Sequence, residues 1–256
     1  MKTFCFTVDD NIRFFKEIMQ KGYKSIFEHP YLQVYKRLHE QFGIKVQLNL
    51  FFEDNEFDLR EFGSVYQDEW EENSDWLKLS FHSQYENVSP YEFSGYQEVY
   101  EDCKNVHEQI LRFATPNTLA KTTTVHYCLA TEEGLKALAD NGVKGLLGLF
   151  GDEECPRTSY NLDFDNASKI RAGKTVKVGD FTFGGIDIVL NLFSVEKILN
   201  KLDKLNGREH INVMIHEQYF YPDYFSYQSN FEEKLVKTFE FFNQNGYASK
   251  FFEEVI

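Results

Sequence analysis

Basic residues are in short supply in this sequence, with 27 Lys and Arg against 41 Asp and Glu and a formal charge of -14. So acidic a surface repels nucleic acid and anionic membranes, which sets both aside as general partners. Cysteine is sparse as well. Cys5, Cys103, Cys128 and Cys155 are scattered, with no Cys-x-x-Cys pair to hold zinc or to work as a redox couple, so free buried thiols are expected. No apolar run approaches the ~18 residues of a membrane span. No charged and apolar leader with a cleavage site precedes the first apolar run, so a soluble, cytoplasmic protein is the expectation.

Aromatic side chains, by contrast, are plentiful, with 26 Phe and 15 Tyr. Most suit a thick core, and an exposed subset would suit stacking against sugars. The 256 residues are read as one domain.

The run Thr3 to Val8 is apolar and β-branched and stops abruptly at Asp9 and Asp10. Continuous apolar runs mark parallel strands buried on both faces, and ligand sites in α/β proteins lie at the carboxyl ends of such strands. The plainer alternative is that the two acids cap the helix that follows. Helical spacing is expected over 12–22 and 31–42, each closed by a glycine, and again over 91–116 and 224–245. Strands are expected over 44–52, 76–83, 119–128, 143–150 and 210–217, with a β-hairpin insertion near 173–185 and a last short strand over 248–255. This alternation implies an α/β fold with a largely parallel sheet. Seven or eight strand candidates suit a (β/α) barrel, seven-stranded or otherwise irregular.

Polar residues recur at the strand ends: Asp9 and Asp10, His82, His126 with Tyr127, and His216 with Glu217. In a barrel these ends share one face. Asp10, His82 and a third donor would hold a divalent metal, such as Zn, Mn, Mg or Fe, with positions left open for water and substrate. Glu86, four residues after His82, is the preferred third donor, and His126 is its competitor. Strict alternation along a strand would send Asp9 and Asp10 to opposite faces, so the chain must bend or end between them for both to serve.

With these residues in view, the sequence resembles the polysaccharide deacetylase family, the NodB-homology group of a wider β/α-barrel superfamily. The family's Thr-Phe-Asp-Asp motif is matched by Thr7-Val8-Asp9-Asp10, and its His-Ser/Thr-x-x-His motif by His82-Ser83-Gln84-Tyr85-Glu86, with Glu in place of the second His. Ile215-His216-Glu217 is similar to its late catalytic motif. The family's Arg-Pro-Tyr-type motif has no match, and His126-Tyr127 stands at the corresponding strand end. The resemblance implies Asp9 as general base, Asp10 and His82 as metal ligands, and His216 as the acid that protonates the leaving group. It leaves His126, Tyr127 and Glu217 as further metal or substrate contacts.

Tyr85, Tyr219 and Tyr221 follow the supposed ligands, either as sugar-contacting aromatics or as loop anchors. The activity implied is metal-dependent removal of an acyl group from an N- or O-acetylated sugar or glycan precursor. The alternative is a barrel that keeps the fold but only binds a glycan or a protein partner. A receiver domain or an Asp-x-Asp phosphatase accounts for neither His82 nor His216.

Overall fold

The computed structural model describes residues 1–86, 91–151 and 158–256. In chain order its strands and helices are β1 (Lys2–Asn11), α1 (Arg13–Lys21), α2 (Pro30–Phe42), β2 (Val46–Phe51), α3 (Gln67–Glu72), β3 (Leu77–Ser83), α4 (Tyr96–Phe113), β4 (Thr122–Thr123), α5 (Glu132–Asp140) and β5 (Gly145–Gly148). There follow α6 (Phe164–Arg171), β6 (Val176–Val178), β7 (Phe181–Gly185), β8 (Ile188–Val189), α7 (Val195–Leu205), β9 (His210–His216), α8 (Phe231–Gln244) and β10 (Tyr247–Ser249).

The central strand is β1, buried from Phe4 onward. Along one edge it pairs with β9 from Thr3 to Asp9. It also pairs with β10 at Lys2–Phe4 and with β2 from Thr7, so these two share its other edge. The first sheet runs β3-β2-β1-β9-β8 with β10 beside β1, and the second runs β4-β5-β7-β6. Every pairing is parallel except β6 with β7. An α/β architecture with mostly parallel strands is thus as the sequence implies.

The strand pairings do not establish the (β/α) barrel, seven-stranded or otherwise irregular, that the sequence suggests, because hydrogen bonding divides the described strands into two sheets. At one seam a single bridge, Leu79 to Leu119, joins them, reinforced by Gln47 and Ser80 side chains that donate to the Thr122 carbonyl. At the other the chain passes directly from β7 to β8. Strands β4 and β8 are only two residues long, too short to carry a continuous ladder across. The hairpin is present as β6 and β7, but β7 also pairs in parallel with β5, so it is part of the sheet and not an insertion upon it.

Helix α1 turns Phe14, Phe15 and Ile18 inward and stops at Gly22, whose φ of 62° suits a residue without a Cβ. Phe15, Phe62, Trp70 and Phe113 pack edge to face or tilted at centroid distances of 4.8 to 6.3 Å, fastening α1, α3 and α4 together. Phe252 fills the space against the backbones of Gly145 and Gly184 in the second sheet. Cys5, Cys103 and Cys128 are buried, and Cys155 lies outside the described residues.

Candidate metal centre and cleft

The end of β1 solves the alternation problem with a bulge. Val8 pairs with Leu48 and Asn11 with Leu50, so Asp9 and Asp10 together oppose the single residue Asn49. Asp10 has φ 64°, a left-handed conformation that Asp tolerates better than most residues. Asn11 clamps the distortion. Its amide donates to the carbonyls of Val8 (2.6 Å) and Asn49 (3.0 Å), and its oxygen accepts from the Tyr31 hydroxyl at 2.7 Å. Asp9 and Asp10 consequently line the same cleft, a cavity of about 360 Å³.

At its floor, Asp10, His82 and His126 bring one ligand atom each within 4.8 Å of one another. Asp10 Oδ1 lies 3.0 Å from His82 Nε2 and 3.5 Å from His126 Nδ1, and the two ring nitrogens are 3.1 Å apart. The outward nitrogens define the tautomers. His82 Nδ1 donates to the Thr124 carbonyl at 2.5 Å and His126 Nε2 to the Glu86 carbonyl at 3.0 Å, because a carbonyl can only accept. The inward nitrogens therefore present lone pairs to each other and to a carboxylate. Three acceptors this close repel unless a proton or a metal ion lies among them, and two imidazoles with a carboxylate are a donor set that fits a metal ion. Burial also holds His82 below the ordinary histidine range, although Asp10 pulls the other way. Burial pushes Asp10 upward, but the positive charge of His216 and the N–H donation and charge of His126 and His82, when these rings are protonated, hold it well below the usual carboxylate range.

Beside the cluster, Asp9 and His216 are direct neighbours across the β1–β9 pairing. Asp9 is 1% exposed, and burial together with the Asp10 charge raises its pKa well above the usual value against the pull of Asn49, which donates to Oδ1 at 2.7 Å. His216 Nδ1 lies 2.9 Å from Asn191 Oδ1. That contact needs a proton on Nδ1 and leaves Nε2 to act. Gln218 donates to Asp10 Oδ2 at 2.6 Å, steadying the carboxylate.

Glu86 lines the cleft, but among the described residues its carboxylate stands outside the clustered ligand atoms, and it reaches His126 with its backbone oxygen instead. Tyr127 sits at the rim, about half exposed, with φ 59° and its ring 4.1 Å from that of His126. Glu217 turns away from the cleft. It is fully buried and accepts the backbone N–H groups of Ile12, Arg13 and Phe14 at 2.7 to 3.0 Å and the Tyr221 hydroxyl at 2.8 Å. These are the orphan donors at the head of α1. Burial nevertheless pushes Glu217 up to about 7.

Tyr221 is buried under the Arg13 guanidinium, 4.0 Å from its ring centre, as a loop anchor. Tyr219 lines the cleft, and Tyr85 is exposed. Sequence reasoning missed Asn49, Asn191, Gln218 and Thr124. Asn49 left a signal, being polar in the middle of the apolar run Leu48 to Phe51, whereas the other three occupy turns or strand ends where polar residues are ordinary.

No protein-family model matches the chain, and no curated protein matches it. Solved structures do match. They include the 4-alpha-glucanotransferase of Thermococcus litoralis (TM-score 0.60, 14% identity, 99% of this chain and 40% of that one). Another is a peptidoglycan N-acetylglucosamine deacetylase (0.56, 12%, 98% and 86%). A third is a family 4 acetyl xylan esterase of Clostridium thermocellum in complex with a cobalt ion (0.52, 10%, 99% and 90%). The chain spans well under half of the glucanotransferase and most of the other two. At these identities the likeness is one of fold: an α/β chain with mostly parallel strands, as in the polysaccharide deacetylases, here with an acid–histidine cluster at its strand ends. Among the described residues no helix is long and apolar enough to cross a membrane.

Proposed function

We propose that the protein is a metal-dependent hydrolase that removes an acyl group from an N- or O-acetylated sugar or glycan precursor, as a divergent relative of the polysaccharide deacetylases. The observation that carries this reading is the convergence of three lone-pair donors, Asp10, His82 and His126, beside the Asp9–His216 pair in one cleft. Three fold relatives named for carbohydrate chemistry, two of them for acetyl removal, support it.

Asp10, His82 and His126 would hold a divalent ion. Two imidazoles and one carboxylate suit zinc, iron or another transition metal better than magnesium. Such an ion supplies Lewis acidity to an acyl carbonyl and to water. The chain's own groups do the rest. Asp9, held by Asn49, accepts a proton from the attacking water. His216, with Nδ1–H held by Asn191, acts as an imidazolium that delivers its Nε2 proton to the departing nitrogen or oxygen and regains one from the protonated Asp9 as the cycle closes. Tyr219 and Tyr127 offer ring faces at the wall and rim for a sugar.

Elemental analysis under mild metal supplementation, paired with an acetate-release assay on acetylated sugars, tests this. Near-stoichiometric metal is expected in the parent and is lost in His82→Ala, while Asp9→Asn keeps metal and loses acetate release. Absence of metal from the parent overturns the reading. Metal without acetate release across diverse substrates favours a non-catalytic glycan-binding role.

A further inference from the structure

A file of buried hydrogen bonds runs from the seam between the two sheets to Asp9, and its direction is decided at the far end. The Thr122 carbonyl can only accept, so the end of the Gln47 side chain that meets it at 2.8 Å is the NH2. The Gln47 oxygen then takes the Thr122 hydroxyl at 3.0 Å, and the same NH2 donates to Asn49 Oδ1 at 2.8 Å. With its oxygen so occupied, Asn49 turns its own NH2 to Asp9 Oδ1 at 2.7 Å. Gln47 and Asn49 stand two residues apart on β2 and so share one face of it. Asp9, Gln47, Asn49 and Thr122 are all buried, where each bond polarises the next. Asn49 Oδ1 has no bond but that from Gln47 among the described residues, so without it the Asn49 side chain loses the contact that sets its rotamer.

We propose that Gln47 is a positioning residue of this centre: acting through Asn49, it holds the Asp9 carboxylate by Oδ1 and leaves Oδ2 for the attacking water. The strand ladder is irregular just beyond Val8, so the backbone alone aims Asp9 poorly. A base works only when it is held within hydrogen-bond reach of the proton it takes. Thr122 grips Gln47 with both its hydroxyl and its carbonyl, and it belongs to the second sheet, so the aim of the base depends on closure of the seam. Ser80 provides the contrast. It is equally buried and donates to the same Thr122 carbonyl at 2.9 Å, but it bonds to no member of the file that leads to Asp9 beyond that point. The part Asp9 plays as proton acceptor rests on the hydrolase reading, whereas the hold on its carboxylate stands or falls separately.

Two substitutions separate positioning from support of the seam. Gln47→Met keeps the length of the side chain and removes its hydrogen bonds, whereas Ser80→Ala removes a bond from the same seam and leaves the file intact. With zinc-loaded protein and p-nitrophenyl acetate, Gln47→Met is expected to lower kcat by about tenfold to a hundredfold with KM and metal content near those of the parent, while Ser80→Ala keeps the parent's kcat. Thr122→Val should lower kcat by a smaller factor, and Thr122→Ser, which keeps the hydroxyl, should restore it. The Asn49 side-chain amide is followed separately by NMR of the metal-free protein, its signal identified by its absence from Asn49→Ala. In the parent the N–H that faces Asp9 should exchange slowly with solvent, and this protection should fall in Gln47→Met but not in Ser80→Ala. A kcat for Gln47→Met equal to that of the parent or of Ser80→Ala, or Asn49 protection that survives Gln47→Met, overturns the proposal. If the zinc-loaded parent shows no turnover, the hydrolase reading fails, and the protection pattern by itself decides whether Gln47 holds Asp9 through Asn49.

Discussion

At the scale of single residues, the third ligand is the sharpest question. His126 presents a lone pair to Asp10 and His82, whereas Glu86 contributes its backbone oxygen, which substitution at the side chain leaves in place. His126→Ala should therefore abolish stoichiometric metal binding and Glu86→Ala should largely preserve it, as read by elemental analysis of the two proteins in parallel. The reverse result would move the site toward Glu86. Glu217 supplies a second residue-scale prediction. Its carboxylate satisfies three backbone donors and a tyrosine hydroxyl, so Glu217→Ala removes all four bonds at the head of α1. The expected cost is about 3 kcal/mol, which for a chain of this size lowers Tm by roughly 6–12 °C. Tyr221→Phe removes one of the four bonds and should cost about 1 kcal/mol. A thermal melt that ranks the two variants the other way would show that Glu217 is not the cap described.

At the scale of elements, β1 matters for the way it ends. The bulge puts two consecutive acids on one cleft, and Asn11 sustains it from within the core, bridging Val8, Asn49 and Tyr31. Replacing Asn11 by Leu would strand the Tyr31 hydroxyl and two strand carbonyls. We expect a loss of about 2–4 kcal/mol, together with weaker metal retention because Asp10 loses its left-handed support. Denaturant unfolding and metal titration would report the two effects separately. In the second sheet the tight element is β7. A Cβ on Gly184 would lie 2.7 Å from the Phe252 ring and 3.0 Å from Leu147 Cδ2, both buried with little room to yield. Gly184→Ala should destabilise the protein by about 1–3 kcal/mol while leaving metal content unchanged, because Asp10 and His82 stand on the other sheet and His126 follows β4, two strands away from β7.

For the whole molecule, stability at acid pH is tied to a histidine far from the cleft. His107 on α4 is buried beside Cys103, and burial lowers its pKa from 6.5 to about 4. The unfolded chain therefore takes up this proton first as the pH falls. The contribution is fully present above about 6.5 and is lost progressively toward about 4, amounting to about 3 kcal/mol in all. His107→Leu should flatten the slope of unfolding free energy against pH in that window. The difference between parent and variant isolates this group from other buried acids such as Glu217. An unchanged slope would show that His107 protonates equally well in the folded chain.

The sequence by itself determined the alternation of strands and helices, the apolar first strand, and the polar residues that close strands one, three and nine, because those features are written in local periodicity and in residue type. It also showed that Asp9 and Asp10 could share a site only if the strand bent between them. The tertiary structure alone decided that a bulge makes the bend, that two short strands interrupt the ladder into two sheets, and that His126 brings the third ligand-type atom to the cluster. It alone revealed Asn49, Asn191 and Gln218 as the partners of Asp9, His216 and Asp10, and Glu217 as a helix cap. The reason is physical. Asp10 and His82 are 72 residues apart and His126 a further 44 from His82, so their meeting depends on strand register and on the turn after β4. Spacing along the chain carries no record of either.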